Sequence, residues 1–148
     1  MEIRRVALDE LFAAPNWREL CDGYAAEAAN PEFGEWKLNE GMYRSLEASG
    51  KLVALGVYEG TELVGFIGGA VVPQSHFSDC SVFAVDAAYL APEHRKAFAG
   101  LRMLRLMKVA AKEMGANGIM VGARLGTRAY ELYSRIFKPM NTLFWSAV

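Results

Sequence analysis

Tyr89-Leu90-Ala91-Pro92-Glu93-His94-Arg95-Lys96-Ala97-Phe98-Ala99-Gly100-Leu101 is the stretch whose reading decides the fold. On its N-terminal side Asp79–Leu90 is rich in Val, Phe and Ala and reads as a strand. On its C-terminal side the period becomes helical over Gly100–Met114. Leu101, Leu104, Met107, Ala111 and Met114 share one face there, and Arg102, Arg105, Lys108 and Lys112 fall largely on the other. Gly115 then closes the helix, because a left-handed residue after the last turn is most easily a glycine. The quoted stretch is therefore a strand-to-helix turn of an α/β unit. Such turns offer free backbone N–H groups and a positive dipole end to anions. Two cations at that end, Arg95 and Lys96, are unfavourable unless an anion is expected.

Working outward, Leu52–Tyr58 and Glu62–Val72 are two further strands, separated by Glu59-Gly60 and followed by the turn Pro73-Gln74-Ser75. The glycines Gly65, Gly68 and Gly69 mark bulges or close backbone approaches in the middle strand. Upstream, Ile3–Leu8 reads as a first strand. Trp17, Leu20, Tyr24 and Ala28 then recur at helical steps, Asn30–Gly34 is a joint around Pro31, and Trp36–Ala48 resumes the helical pattern. Downstream lie a strand at Gly118–Ala123, a helix at Thr127–Ile136 capped by Thr127, and a last strand at Leu143–Ala147. The predicted order is β-α-α-β-β-β-α-β-α-β, an α/β (α+β) chain with a mixed sheet of about six to seven strands and about four helices. Residues 1–148 read as one domain without repeats or linkers.

Composition narrows the function. Net charge is −1 with 22 % charged residues, so there is no global basic field for nucleic acid, and a nucleic-acid role for the basic helix face is disfavoured. Cys21, Cys80, His76 and His94 show no metal-ligand spacing, and no metal is expected. No apolar run approaches the roughly 18 residues of a membrane span, and the N-terminus carries charges where a signal peptide is apolar. A cytoplasmic protein with free thiols and no membrane partner is the expectation.

Arg95, Ala97, Ala99 and Gly100 resemble the acetyl-coenzyme A motif of the GNAT N-acetyltransferase superfamily, in which an Arg or Gln begins a pyrophosphate-binding turn and a Gly or Ala ends it. Phe98 stands where the first glycine is usual, so a positive φ there would carry strain of about 1–3 kcal/mol. A second motif is similar downstream: Ala129 and Leu132-Tyr133 fall in register, Gly126 replaces an Asn, and Phe137 follows one residue early. More narrowly, His76-Phe77, Asp86 and Pro92-Glu93-His94-Arg95 are similar to small GNAT proteins encoded by bacteriophages, which brings no acceptor with it.

The resemblance implies an acetyl-CoA-dependent N-acetyltransferase that moves an acetyl group to a primary amine by direct transfer in a ternary complex. The cosubstrate would be held by Tyr89, Leu90, Arg95, Lys96, Ala97, Phe98, Ala99, Gly100 and Leu101. Its pantetheine arm would enter between splayed fourth and fifth strands. Tyr133 is the candidate general acid for the leaving thiolate, with Tyr130 as the competing tyrosine. Asp86, an acid in an apolar strand, is the candidate base or amine anchor, and strand alternation puts it on one face with Ala84 and Ala88. His76 is an alternative base, and Glu35, Trp36 and Tyr43 could line an acceptor groove. A covalent route through Cys80 or Cys21 is the weaker mechanism. The acceptor, a small molecule or protein amine, is not legible, and a homodimer stays open. A non-catalytic acyl-CoA sensor or interaction module is the alternative function.

Overall fold

The computed structural model describes residues 1–96 and 98–148. It contains β1 (Glu2–Arg5), α1 (Leu8–Phe12), α2 (Trp17–Ala28), α3 (Glu40–Ala48), β2 (Leu52–Glu59), β3 (Glu62–Gln74), β4 (Phe77–Leu90), α4 (Ala99–Glu113), β5 (Gly118–Val121) and α5 (Arg128–Ile136). Short 3-10 turns occupy Pro31–Phe33 and Pro92–His94. The five strands lie in sequence order. The first four are antiparallel, and β5 is parallel to β4 across the α4 crossover.

Two apolar layers sandwich this sheet. On one face Val53, Leu55, Val57, Ile67 and Phe83 meet Met103, Leu104, Met107, Ala110 and Ala111 of α4. On the other, Ala54, Leu63 and Phe66 meet Leu11 and Leu20 of α1 and α2. Side chains as completely buried as Phe83 and Met107 stabilise by roughly 1.5–3 kcal/mol each. Exposed Arg102, Arg105, Lys108 and Lys112 cover the outer side of α4. At its C-terminus Gly115 has φ 77 and donates to Lys112 O, while Ala116 donates to Ala111 O, so two terminal carbonyls are satisfied.

Several boundaries differ from the sequence-based expectation. Among the described residues the sheet has five strands, not six to seven, and there are five α-helices, not four. The extra helix is α1: β1 stops at Arg5, and beyond Val6 and Ala7 the buried Leu8 and Leu11 are spaced for one helical face. The Leu8 N–H donates to Glu47 Oε1 of α3, which satisfies one donor of that helix start. α3 begins at Glu40 rather than Trp36, because Asn39 accepts from the Met42 N–H as an N-cap. Thr127 caps α5 by accepting from the Tyr130 N–H.

The last strand, at Leu143–Ala147, is not formed. Its apolar composition suits a strand, but backbone groups need a partner, and no sheet edge receives them. Leu143 and Phe144 are 94 and 93 % exposed, while Trp145 stacks edge-on against Phe33 at 5.0 Å.

Gly68 pairs with Ala87 and Gly69 with Val85, so Asp86 is an extra residue bulged out of β4. Gly69 is needed beside it, because a Cβ there would lie 2.3 Å from Ala84 O. The bulge reverses the alternation. Phe83 and Val85 pack toward α4, and so do Ala88 and Leu90, whereas Ala87 and Tyr89 pack toward α2. The expected common face of Asp86 and Ala88 is therefore wrong.

Candidate active site

The site follows from where β4 and β5 part. Their parallel register runs only from Val82↔Gly118 to Val85↔Val121. β4 continues to Leu90, leaving Asp86–Leu90 without a partner on that side. The divergence opens a cleft of about 920 Å³ between the end of β4, the start of α4 and the inner side of α5. Its walls contain Tyr89, Leu90, Arg95, Phe98, Ala99, Gly100 and Leu101 of the expected cosubstrate set, together with Asp86 and Tyr133. Lys96 is not in the wall, and Ala97 lies outside the described residues.

Phe98 adopts φ 65 and ψ 19 at the N-cap of α4, with its ring 78 % exposed. The positive φ is thus present at the residue where a glycine was missing. Gly100 faces open space, and a Cβ there would meet nothing within 4 Å.

Arg95 makes other contacts than a simple anion contact would require. Its Nε donates to Leu90 O at 2.7 Å and its guanidinium to Glu27 Oε1 at 2.6 Å. It also lies over the Tyr89 ring, 5.5 Å from the centroid. Arg95 so ties the end of β4 to α2. Two further arginines, Arg124 and Arg128, stand in the same wall, and Arg124 reaches Ala29 O at the C-terminus of α2 across 3.2 Å. Sequence reasoning missed both, because the β5–α5 connection carries no spacing that singles them out.

A second cavity of about 460 Å³ lies between the other sheet face, α1–α3 and the Asn30–Asn39 connection. Glu35, Trp36 and Tyr43 line it, as does Cys21. The two cavities share Tyr24, Ala28, Ile67 and Asp86. At that junction the Tyr43 hydroxyl donates a hydrogen bond to the Asp86 carboxylate, and Tyr24 Oη reaches Asp86 O at 3.5 Å. Tyr24 was legible only as a core residue of its helix, and its place beside Asp86 depends on the bulge.

Burial holds the phenols of the site above their ordinary pKa. It acts alone on Tyr133, and on Tyr24 it is followed by the charge of Asp86 and by Tyr133. For Tyr43 burial is first and the hydrogen bond to Asp86 second. All three therefore keep their protons at neutral pH. Tyr133 packs edge-on against Phe137 at 5.8 Å, while Tyr130 is exposed and outside both cavities. Burial, helped by Asp22, pushes the Cys21 thiol up to about 11, so it is not a thiolate nucleophile at neutral pH. Cys80 lines neither cavity, and His76 sits at the tip of the β3–β4 hairpin, also outside them. Among the described residues no three His, Cys, Asp or Glu side chains gather as a metal site, and no helix is long and apolar enough to cross a membrane.

The architecture is thus a mixed sheet with a bulged fourth strand, a diverging fifth and a helix starting in the gap. The chain belongs to the acetyltransferase (GNAT) family, whose model matches residues 7–137. Solved structures agree in fold. An aminoglycoside acetyltransferase from an uncultured soil metagenomic sample is 18 % identical with a TM-score of 0.74, covering 99 % of this chain and 97 % of its own. A ribosomal-protein-alanine N-acetyltransferase from Brucella melitensis biovar Abortus 2308 is 17 % identical with a TM-score of 0.72, covering 100 % and 99 %. An aminoglycoside N-acetyltransferase solved with CoA is 9 % identical with a TM-score of 0.73, covering 99 % and 98 %. No curated protein matches by sequence.

Proposed function

We propose that the protein is an N-acetyltransferase that binds acetyl-CoA in the β4–β5 cleft and transfers the acetyl group directly to a primary amine held in the adjoining cavity. The observation that carries this reading is that the two cavities share a wall at Asp86 and Tyr24. A thioester arriving through one cavity and an amine through the other would meet there without a covalent enzyme intermediate. A structure sharing the fold was solved in complex with CoA, which supports CoA as the cosubstrate.

The cleft suits the cosubstrate chemically. Backbone groups of β4 near Tyr89, on the side that β5 leaves, offer hydrogen bonds to the amides of the pantetheine arm, with Leu90 O already held by Arg95. The first turn of α4 aims the N–H groups of Gly100 and Leu101 and the positive dipole end at the pyrophosphate, while the Ala99 N–H donates to Lys96 O and closes the turn beside it. Arg124 and Arg128 add positive charge to the wall, and Lys96 lies close in sequence to the turn. Arg95 acts mainly as a positioning residue, holding Leu90 and α2 in place.

The amine enters as an ammonium ion and first gives a proton to Asp86, directly or through water. Asp86 passes that proton to solvent; the nitrogen then forms the C–N bond as the thioester C–S bond breaks, and the second proton it loses passes to water. Tyr133, kept protonated by burial, gives its proton to the departing sulfur and is restored from solvent. The balance is one ammonium and one acetyl-CoA converted to one N-acetyl amine, one CoA thiol and one proton. Within this reading the protein works in the reducing cytoplasm, with Cys21 and Cys80 as free thiols.

Thiol release from acetyl-CoA, followed across a panel of primary amines, tests the activity. Asp86→Asn keeps the shape of the side chain but cannot take the proton. Its kcat is expected to fall about 10²–10⁴-fold, the usual span of general base catalysis, with CoA binding retained. Full activity in Asp86→Asn would remove Asp86 from the mechanism.

A further inference from the structure

The amine cavity has a chemistry of its own, and resting on the acetyltransferase reading, we infer that its acceptor is a primary monoamine with an aromatic body, an arylalkylamine, rather than a polycation or a peptide terminus. The cavity volume of about 460 Å³ falls in the range of roughly 300–1,000 Å³ occupied by small-molecule sites. Its walls are dominated by aromatic and aliphatic side chains. Tyr24, Trp36, Tyr43 and Phe66 present rings from α2, the Asn30–Asn39 connection, α3 and β3. Tyr24 stands edge-on to Trp36 at 6.3 Å and tilted to Phe66 at 6.0 Å, so the rings form a continuous lining rather than scattered contacts.

Charge separates the candidate acceptors. The formally charged residues of this lining are Asp86 and Glu35 against Lys37, one net negative charge. Glu35 and Lys37 are exposed on the connection. Asp86 alone stands at the junction with the transfer cleft, oriented by the hydrogen bond from Tyr43. One ammonium on Asp86 is thus matched, with the Tyr43 and Tyr24 hydroxyls beside it. A polyamine or an aminosugar antibiotic would bring several further ammonium groups into an apolar cavity whose one other carboxylate, Glu35, lies exposed on the connection and is offset by Lys37, and each unpaired charge is strongly disfavoured there. A peptide terminus would bring amide groups that the same aromatic walls leave unsatisfied.

In the reaction the ammonium loses its proton through Asp86, the amine nitrogen takes the acetyl group, and the CoA sulfur leaves protonated. The aromatic body stays among Trp36, Tyr24 and Phe66 throughout. Trp36 is therefore a specificity residue for the acceptor and has no part in holding acetyl-CoA, because it lines only the amine cavity.

The test uses the full chain at saturating acetyl-CoA, with CoA binding measured separately by calorimetry. Phenethylamine and tryptamine are compared with spermidine, kanamycin and an alanine-initiated peptide by thiol release. The arylalkylamines are expected to show kcat/KM at least tenfold above every other amine, and phenethylamine to bind the CoA-loaded protein in calorimetry. Trp36→Ala should raise the tryptamine KM at least tenfold while the acetyl-CoA KM and CoA binding stay unchanged. A preference for spermidine, kanamycin or the peptide overturns the acceptor class and leaves acetyl transfer standing. Absence of arylalkylamine turnover in protein that binds CoA overturns it as well. Absence of CoA binding would instead sink the acetyltransferase reading itself.

Discussion

Replacing Phe98 tests the strained turn in front of α4, because its φ of 65 puts a bulky L-residue in the left-handed region. That conformation costs roughly 1–2 kcal/mol for a residue with a Cβ. Glycine removes the cost but adds about 0.4–1 kcal/mol of unfolded-state entropy relative to alanine. The ring is 78 % exposed, and both Phe98→Gly and Phe98→Ala delete it, so its small burial cancels between them. The Gly variant should then be more stable than the Ala variant by about 0.8 kcal/mol, the difference of those two central values. At about 2–4 °C per kcal/mol for a domain of this size, scanning calorimetry should find it melting about 2–3 °C higher. An Ala variant that melts at or above the Gly variant would refute the claim that the turn stores backbone strain.

Tyr133→Phe keeps the ring beside Phe137 and removes the proton donor, so kcat should fall at least about tenfold with little change in acetyl-CoA KM or Tm. Tyr130→Phe, outside both cavities, should be nearly silent in the same steady-state assay. Because burial raises the Tyr133 phenol, any alkaline loss of kcat that follows its deprotonation should begin above the ordinary phenol value of about 10, as a pH–rate profile would show. Tyr43→Phe removes the hydrogen bond to Asp86. Since hydrogen bonds to charged groups contribute about 1.5–3 kcal/mol, kcat/KM for the amine should drop roughly tenfold or more, with calorimetric CoA binding unaffected.

Much of the fold was legible from residue patterns. The Val- and Leu-rich runs of β2, β3 and β4, the α4 face through Leu104, Met107 and Ala111, and the Gly115 terminus each rest on local chemistry. Local chemistry also misled. Val6 and Leu8 extended the first strand on paper, but helical spacing with Leu11 ended it. Leu143–Ala147 has strand composition and no partner edge, which composition alone does not reveal.

The candidate site divides in the same way. The turn from Tyr89 to Leu101 and the Leu132-Tyr133 pair carry motif spacing, so they could be named in advance. Asp86 could be named as an acid in an apolar strand, but its orientation depended on a bulge, and a bulge is a property of two strands in register. Tyr24, Arg124 and Arg128 belong to segments that become neighbours only when β4 and β5 diverge. Nothing in their own sequence surroundings marks them.

The central claim, that the cleft at the start of α4 receives acetyl-CoA, is tested most directly by calorimetric titration of acetyl-CoA into the wild-type and Gly100→Glu proteins. Open space around Gly100 lets the glutamate fold without a clash, while its charge opposes the pyrophosphate at the helix start. The account predicts saturable wild-type binding and none in a Gly100→Glu protein with unchanged Tm. Wild-type affinity in the folded variant would contradict it and place the phosphate site elsewhere.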